Sequence, residues 1–206
     1  VVTDTPPRQP GGRAPGRPRD ERHDRAILAA ALAILREEGY RGLTIEGVAA
    51  RARVGRPTIY RRWPSKPALV VAALVHSARL AVPVPDTGSL RDDLVEVQRH
   101  QVELMNSPDN RRVTAGLVAD LVADSELADT YVTQYLAPRR AAVWQVLERG
   151  IARGEIRADT DLAFAYDLLI GPLFMRTVIW GQQLAEDAAV QTADVILEVF
   201  APERGL

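Results

Sequence analysis

Apolar residues recur along this chain at intervals of three and four, the spacing that lines one face of an α-helix. Few stretches show the strict alternation of a half-buried strand, so the pattern predicts an all-α fold. Ile27, Ala31, Ile34 and Leu35 form the first stripe, on a helix expected from an N-cap at Asp20 to about Glu38. Gly39 suits its C-terminal cap, and Tyr40 and Leu43 are expected to anchor the connection to the next helix. A second helix starts after Thr44, an N-cap residue, with Glu46 in its first turn and Ile45, Val48 and Ala49 facing inward. It ends near Ala52. Arg53, Val54 and Gly55 then make a turn, and a third helix opens near Arg56 with Pro57 in its first turn. Ile59 faces the core and Trp63 closes it. Two short helices joined by a tight turn, with the small Ala49 at their crossing, make a helix-turn-helix.

The helical pattern continues through the rest of the chain. Ser65 caps a helix expected to reach about Ala81, carrying Leu69, Ala72, Ala73, His76 and Leu80 near one face. The run Val82 to Gly88 is a Pro- and Gly-rich loop. Helices are expected over 90–106, 108–124 and 126–153, the last with Pro138 as a candidate kink. A strongly apolar segment, 162–181, is interrupted by Gly171-Pro172, and an amphipathic helix over 188–200 ends the pattern.

Charge sharpens this picture. Residues 1–66 hold 14 Arg and Lys against 7 Asp and Glu, and residues 67–206 hold 12 against 20. A basic head on an acidic body is the asymmetry of a nucleic-acid-binding protein. Residues 1–20, rich in Pro, Gly and Arg, cannot bury a core. They read as a disordered arm whose Arg8, Arg13, Arg17 and Arg19 either reach DNA or are simply solvated. No signal-peptide-like apolar stretch opens the chain, and Cys is absent, which excludes disulfides, thiolate metal sites and Cys nucleophiles. His23, His76 and His100 match no metal-ligand spacing, and there is no P-loop, dinucleotide glycine pattern or nucleophile elbow. Neither a metal, a cofactor nor an enzyme activity is expected.

The run LTIEGVAARARVGRPTIYRRWPSK, with Gly39 before it, resembles the DNA-binding domain of the TetR family of bacterial transcriptional repressors. Gly39, Leu43, Thr44, Val48, Ala49, Ala52, Val54, Thr58, Ile59, Tyr60, Trp63, Ser65 and Lys66 carry the resemblance. It implies an N-terminal three-helix helix-turn-helix domain (21–66), then a helical-bundle ligand-binding and dimerisation domain (67–206). It also implies a cytoplasmic homodimer on a palindromic double-stranded DNA operator, released by a small-molecule effector. Thr44, Tyr60 and Lys66, the chain's only lysine, would then be phosphate contacts, and Arg56, Pro57, Thr58 and Arg61 would face bases. Two positions depart from the family. Arg53 stands where a turn glycine is common, and Gly55 replaces the usual Ser at the start of the reading helix.

The body carries no motif for a ligand class. Its candidate pocket residues are His100, Leu104, Met105, Leu121, Trp144, Leu168, Phe174 and Met175, a set that fits plain core packing equally well. The 162–181 segment is about long enough to cross a bilayer, but Asp167, Arg176 and the Gly-Pro pair argue against a membrane span. The alternatives are a DNA-binding activator or architectural protein without a ligand, and a helical-bundle enzyme.

Overall fold

The computed structural model describes residues 18–77 and 83–202, with side chains from Glu21 onward. Among these residues there are only helices and connections. The head comprises α1 (Pro18–Gly42), α2 (Ile45–Ala52), α3 (Arg56–Tyr60) and α4 (Lys66–Ser77). The body comprises α5 (Leu90–Asn106), α6 (Pro108–Ala123), α7 (Ser125–Tyr131), α8 (Ala137–Ala152), α9 (Leu162–Phe174) and α10 (Ala188–Val199).

Most caps form as expected. Ser89 and Ser107 accept hydrogen bonds from Asp92 and Asn110 backbone N–H groups at the starts of α5 and α6. Asp161 caps α9, its carboxylate accepting from the Ala163 and Phe164 backbone N–H groups. The first helix differs from expectation: it begins at Pro18, so Asp20 lies inside its first turn rather than capping it. Proline tolerates that position because a first-turn N–H has no intrahelical partner. Arg8, Arg13 and Arg17, the Arg19 side chain, and Leu80 and Ala81 at the expected end of α4 lie outside the described residues.

Two helices carry a widened π turn. Val132–Leu136 links α7 to α8, with the Ala137 N–H reaching the Val132 carbonyl five residues back. Pro138 follows this π turn two residues on, and the chain stays helical into it, with Tyr131, Leu136 and Ala137 at right-handed helical angles. Met175–Ile179 extends α9, the Trp180 N–H bonding to Met175 O at 2.9 Å. The break expected at Gly171-Pro172 is absent; α9 runs through it and widens three residues later.

The packing does not divide at residue 66. One buried cluster joins Ile27, Ile34, Leu43, Val48 and Ile59 to Leu69, Val70 and Leu74 of α4, and then to Val113 and Leu117 of α6, Leu127 of α7, and Tyr135. A second cluster fills the body from Leu90, Leu94 and Val97 to Val146, Leu169 and Ile196. Gln98, fully buried, ties three helices together by donating to Leu169 O and Thr192 Oγ1, both at 2.8 Å.

Helices α5 and α8 approach closely at Gly150. A Cβ on Gly150 would stand 2.5 Å from Leu90 Cδ2 and 3.0 Å from its Cγ. Gly150→Ala is therefore expected to destabilise by about 1–3 kcal/mol through overpacking. In an open helix interior the same change would stabilise by roughly 1 kcal/mol. Urea unfolding of the two proteins fixes the sign.

Candidate nucleic-acid interface and internal cavity

Local sequence builds the head's outer surface. Thr44 Oγ1 accepts from the Gly47 N–H at 3.0 Å and starts α2. Arg53 ends it in the left-handed region, φ 55, the only non-glycine residue with positive φ among those described. Its N–H and that of Val54 close back on Ala50 O and Ala49 O, so the turn that glycine usually makes is made here by a strained arginine. Gly55 comes next, in extended conformation with no side-chain cap on α3.

Helix α3 has two faces. Ile59 is completely buried, and Trp63 packs against the same cluster. Arg56, Pro57, Tyr60 and Arg61 share the exposed side, Tyr60 being 49% exposed, and Thr58 is half-buried beside them. Arg56 is not loose in solvent: its Nη1 donates to Glu46 Oε1 of α2 at 2.7 Å. That bond to Arg56 holds the Glu46 carboxyl below its usual range. Arg51 grips Glu37 with two bonds of 2.6 and 2.7 Å. Lys66 differs from the other candidates. It is half-buried, with its ammonium 4.2 Å above the Tyr40 ring, and burial pulls its pKa down against the opposing pull of Asp120 and Asp124.

The same corner of the head meets α6 and α7. The Tyr40 hydroxyl donates to Asp124 Oδ2 at 2.8 Å, and Arg41 Nε donates to Asp120 Oδ1 at 3.0 Å. Arg36 meets Asp109 at 3.2 Å. Burial and the Asp124 contact push the Tyr40 phenol up. Asp124 is held down by the Leu127 N–H and then by Tyr40.

Behind α6 and α7 lies a cavity of about 550 Å³ with a largely apolar wall, bounded by α5, α6, α7, both π turns, α8 and α9. Of the eight sequence candidates, Leu104, Met105, Leu121 and Phe174 line it. His100, Trp144, Leu168 and Met175 sit away from it. The Trp144 indole instead donates to Leu162 O at 3.1 Å. Leu168 lines a separate groove between α9 and α10, and Met175 is exposed, because both project from a different side of α9 than Ile170 and Phe174. The wall also holds Tyr131, Tyr135, Tyr166 and Arg139, none of them among the eight candidates. A signal existed: Leu127, Tyr131, Tyr135 and Arg139 recur every four residues, so Arg139 continues an apolar stripe.

Two family models match the chain. "Bacterial regulatory proteins, tetR family" covers residues 27–73, and "Tetracyclin repressor-like, C-terminal domain" covers 84–196. The chain is 36% identical over 185 residues to an uncharacterized HTH-type transcriptional regulator, YdeS, of Bacillus subtilis, spanning 90% of this chain and 91% of that one. It is 31% identical over 190 residues to the DNA-binding transcriptional repressor TetR of Mycobacteroides abscessus, spanning 89% and 97%. Among solved structures, the TetR family transcription regulator SCO0332 superposes with a TM-score of 0.71 at 29% identity, covering 87% of this chain and 99% of that chain.

The Tyr40–Asp124 contact carries a pH signature. A carboxyl whose folded pKa is depressed adds stability above its unfolded value, near about pH 4, and loses it as the pH falls through the folded value. Tyr40→Phe is expected to lower Tm at neutral pH, with the gap to the parent narrowing in acid. Thermal melts on either side of the carboxylate range check it.

Proposed function

The chain belongs to the TetR family of bacterial regulatory proteins and is a DNA-binding transcriptional regulator. On that footing we propose that it is a homodimeric, cytoplasmic repressor of a palindromic operator, released by a small molecule in the body's cavity. The observation that carries this reading is the sharing of α6 and α7. One side of this pair completes the head's core, and the other side lines the cavity. A molecule in the cavity therefore touches the same helices that set the head's position.

The proposed DNA surface is the exposed side of α3 with the start of α2. Arg56, Pro57, Thr58 and Arg61 would face base edges in the major groove, and Thr44 and Tyr60 would hold phosphates. Lys66 would join them only by leaving the Tyr40 ring. Arg56 is suited to guanine, whose O6 and N7 match its two-pronged guanidinium. Its partner Glu46 pre-orients it, and because both groups are exposed and screened by solvent, exchanging this ion pair for a base costs little.

The proposed dimer face lies on α9 and α10. Leu162–Ile179 is long and apolar enough to cross a membrane. Here it packs into the bundle through Ala165, Leu169 and Leu173, while Phe164, Met175, Ile179 and the following Trp180 stay exposed, as do Val195 and Val199 of α10. A second copy laid against this face would cover that apolar surface and give two heads the two-fold symmetry of a palindrome. The named repressor among the relatives supports repression over activation.

Selection of bound DNA from a random pool tests the reading. The parent is expected to enrich a two-fold symmetric sequence. Arg56→Ala should lose about 1–3 kcal/mol of discrimination at one base pair per half-site, with the other positions retained. The same preferred base for both proteins would remove Arg56 from base reading, and an unenriched pool would remove the operator.

A further inference from the structure

Arg139 is the one buried cation among the described residues. It is 7% exposed, its Nη2 is fully enclosed, and that atom has no hydrogen-bond partner. Among the described residues no carboxylate lies within ion-pair distance of it. Its one favourable neighbour is the Tyr135 ring, with the guanidinium carbon 4.1 Å from the centroid. Of the half-buried arginines of the body, Arg149 meets Asp86 and Arg157 meets Asp159, while Arg111 reaches only a backbone carbonyl, Gly181 O. A charge removed from water without a counter-ion is costly, and arginine cannot shed its proton to escape that cost.

Arg139 also lines the cavity. We propose that the cavity takes an amphipathic anion, an apolar body bearing one carboxylate, and that Arg139 supplies the counter-charge. This rests on the reading of the cavity as the effector site and names its ligand class. The planar guanidinium presents paired N–H donors that match a carboxylate's two oxygens. The volume, about 550 Å³, and the mostly apolar wall call for a body of drug-like size rather than a small inorganic anion. The other charged groups at the wall leave the balance positive. Arg111 reaches towards Gly181 O at 3.5 Å, and Asp167 is exposed and outside ion-pair distance of Arg139. Tyr131 and Tyr135 stack with centroids 4.8 Å apart, and burial raises both phenols, so neither supplies the missing anion.

Matched pairs of probes test this on the full-length protein: decanoate with decanamide, and biphenyl-4-carboxylate with its amide, titrated calorimetrically. The acid of at least one pair is expected to bind about tenfold or more tighter than its amide. Arg139→Met should erase that preference while leaving amide binding within about twofold, and it should raise the ligand-free Tm, because an unpaired buried charge is replaced by an apolar chain. Arg139→Lys, which keeps the charge but loses the fork, should fall between. Equal binding of acid and amide, a preference that survives in Arg139→Met, or no binding of either acid at about 1 mM would each overturn the assignment. The effector reading is judged separately, by whether any neutral compound of similar size releases the selected operator; if one does, that reading stands without the anion.

Discussion

The head cannot complete its own core. Ile27, Leu43, Val48 and Ile59 bury themselves only with the help of α4, and that assembly closes only when Val113, Leu117, Leu127 and Tyr135 of the body pack against it. Interiors packed to crystalline density do not deform smoothly; they shift between discrete arrangements. Leu117 and Tyr135 belong both to this core and to the wall of the cavity, and Leu121 packs against the one while lining the other. A change in the cavity that moves these shared residues therefore bears on the packing of the head. A ligand acts on this equilibrium only as far as it binds one arrangement better than the other.

Electrostatics sets the register of that contact rather than its strength. The excess of acid in the body is partly placed along α6, where Asp109, Asp120 and Asp124 receive Arg36, Arg41 and Tyr40 from α1. These groups are partly exposed, and such pairs contribute little free energy each. Spread over the length of α6, they fix how α1 lies on it. Within the head, Arg51–Glu37 and Arg56–Glu46 do the same for α1, α2 and α3.

Much of the head was legible in the sequence because its signals are local. Thr44 capping, the turn through Arg53 and Gly55, and the inward Ile59 follow from residues a few positions apart, and Arg53 does adopt the disfavoured backbone that its position demanded. The cavity was legible only in half. Periodicity tells which residues share a helix face but not which faces of different helices converge, so Leu104 and Phe174 were separable from Trp144 and Leu168 only in three dimensions. The two π turns were invisible to a 3.6-residue pattern, though each lies within a few residues of a proline. Both contribute to the cavity, through Tyr135 and Leu136 in one and Thr177 and Val178 in the other. Arg139 was hidden by its neighbour: beside Arg140, after Pro138, it reads as half of a solvated basic pair.

In the proposed dimer, two heads joined through α9 and α10 would form a caliper whose opening the cavity would control. The chain has no cysteine, so one introduced residue gives a unique label. Ala29, exposed on α1 away from the reading helix, is suitable as Ala29→Cys. Pulsed electron-electron resonance on the labelled protein then reads the distance between heads directly. A single head-to-head distance that shifts by several ångströms when an operator-releasing compound binds is the expected result. No dipolar signal between copies, or a distance unchanged while the operator is released, would contradict it.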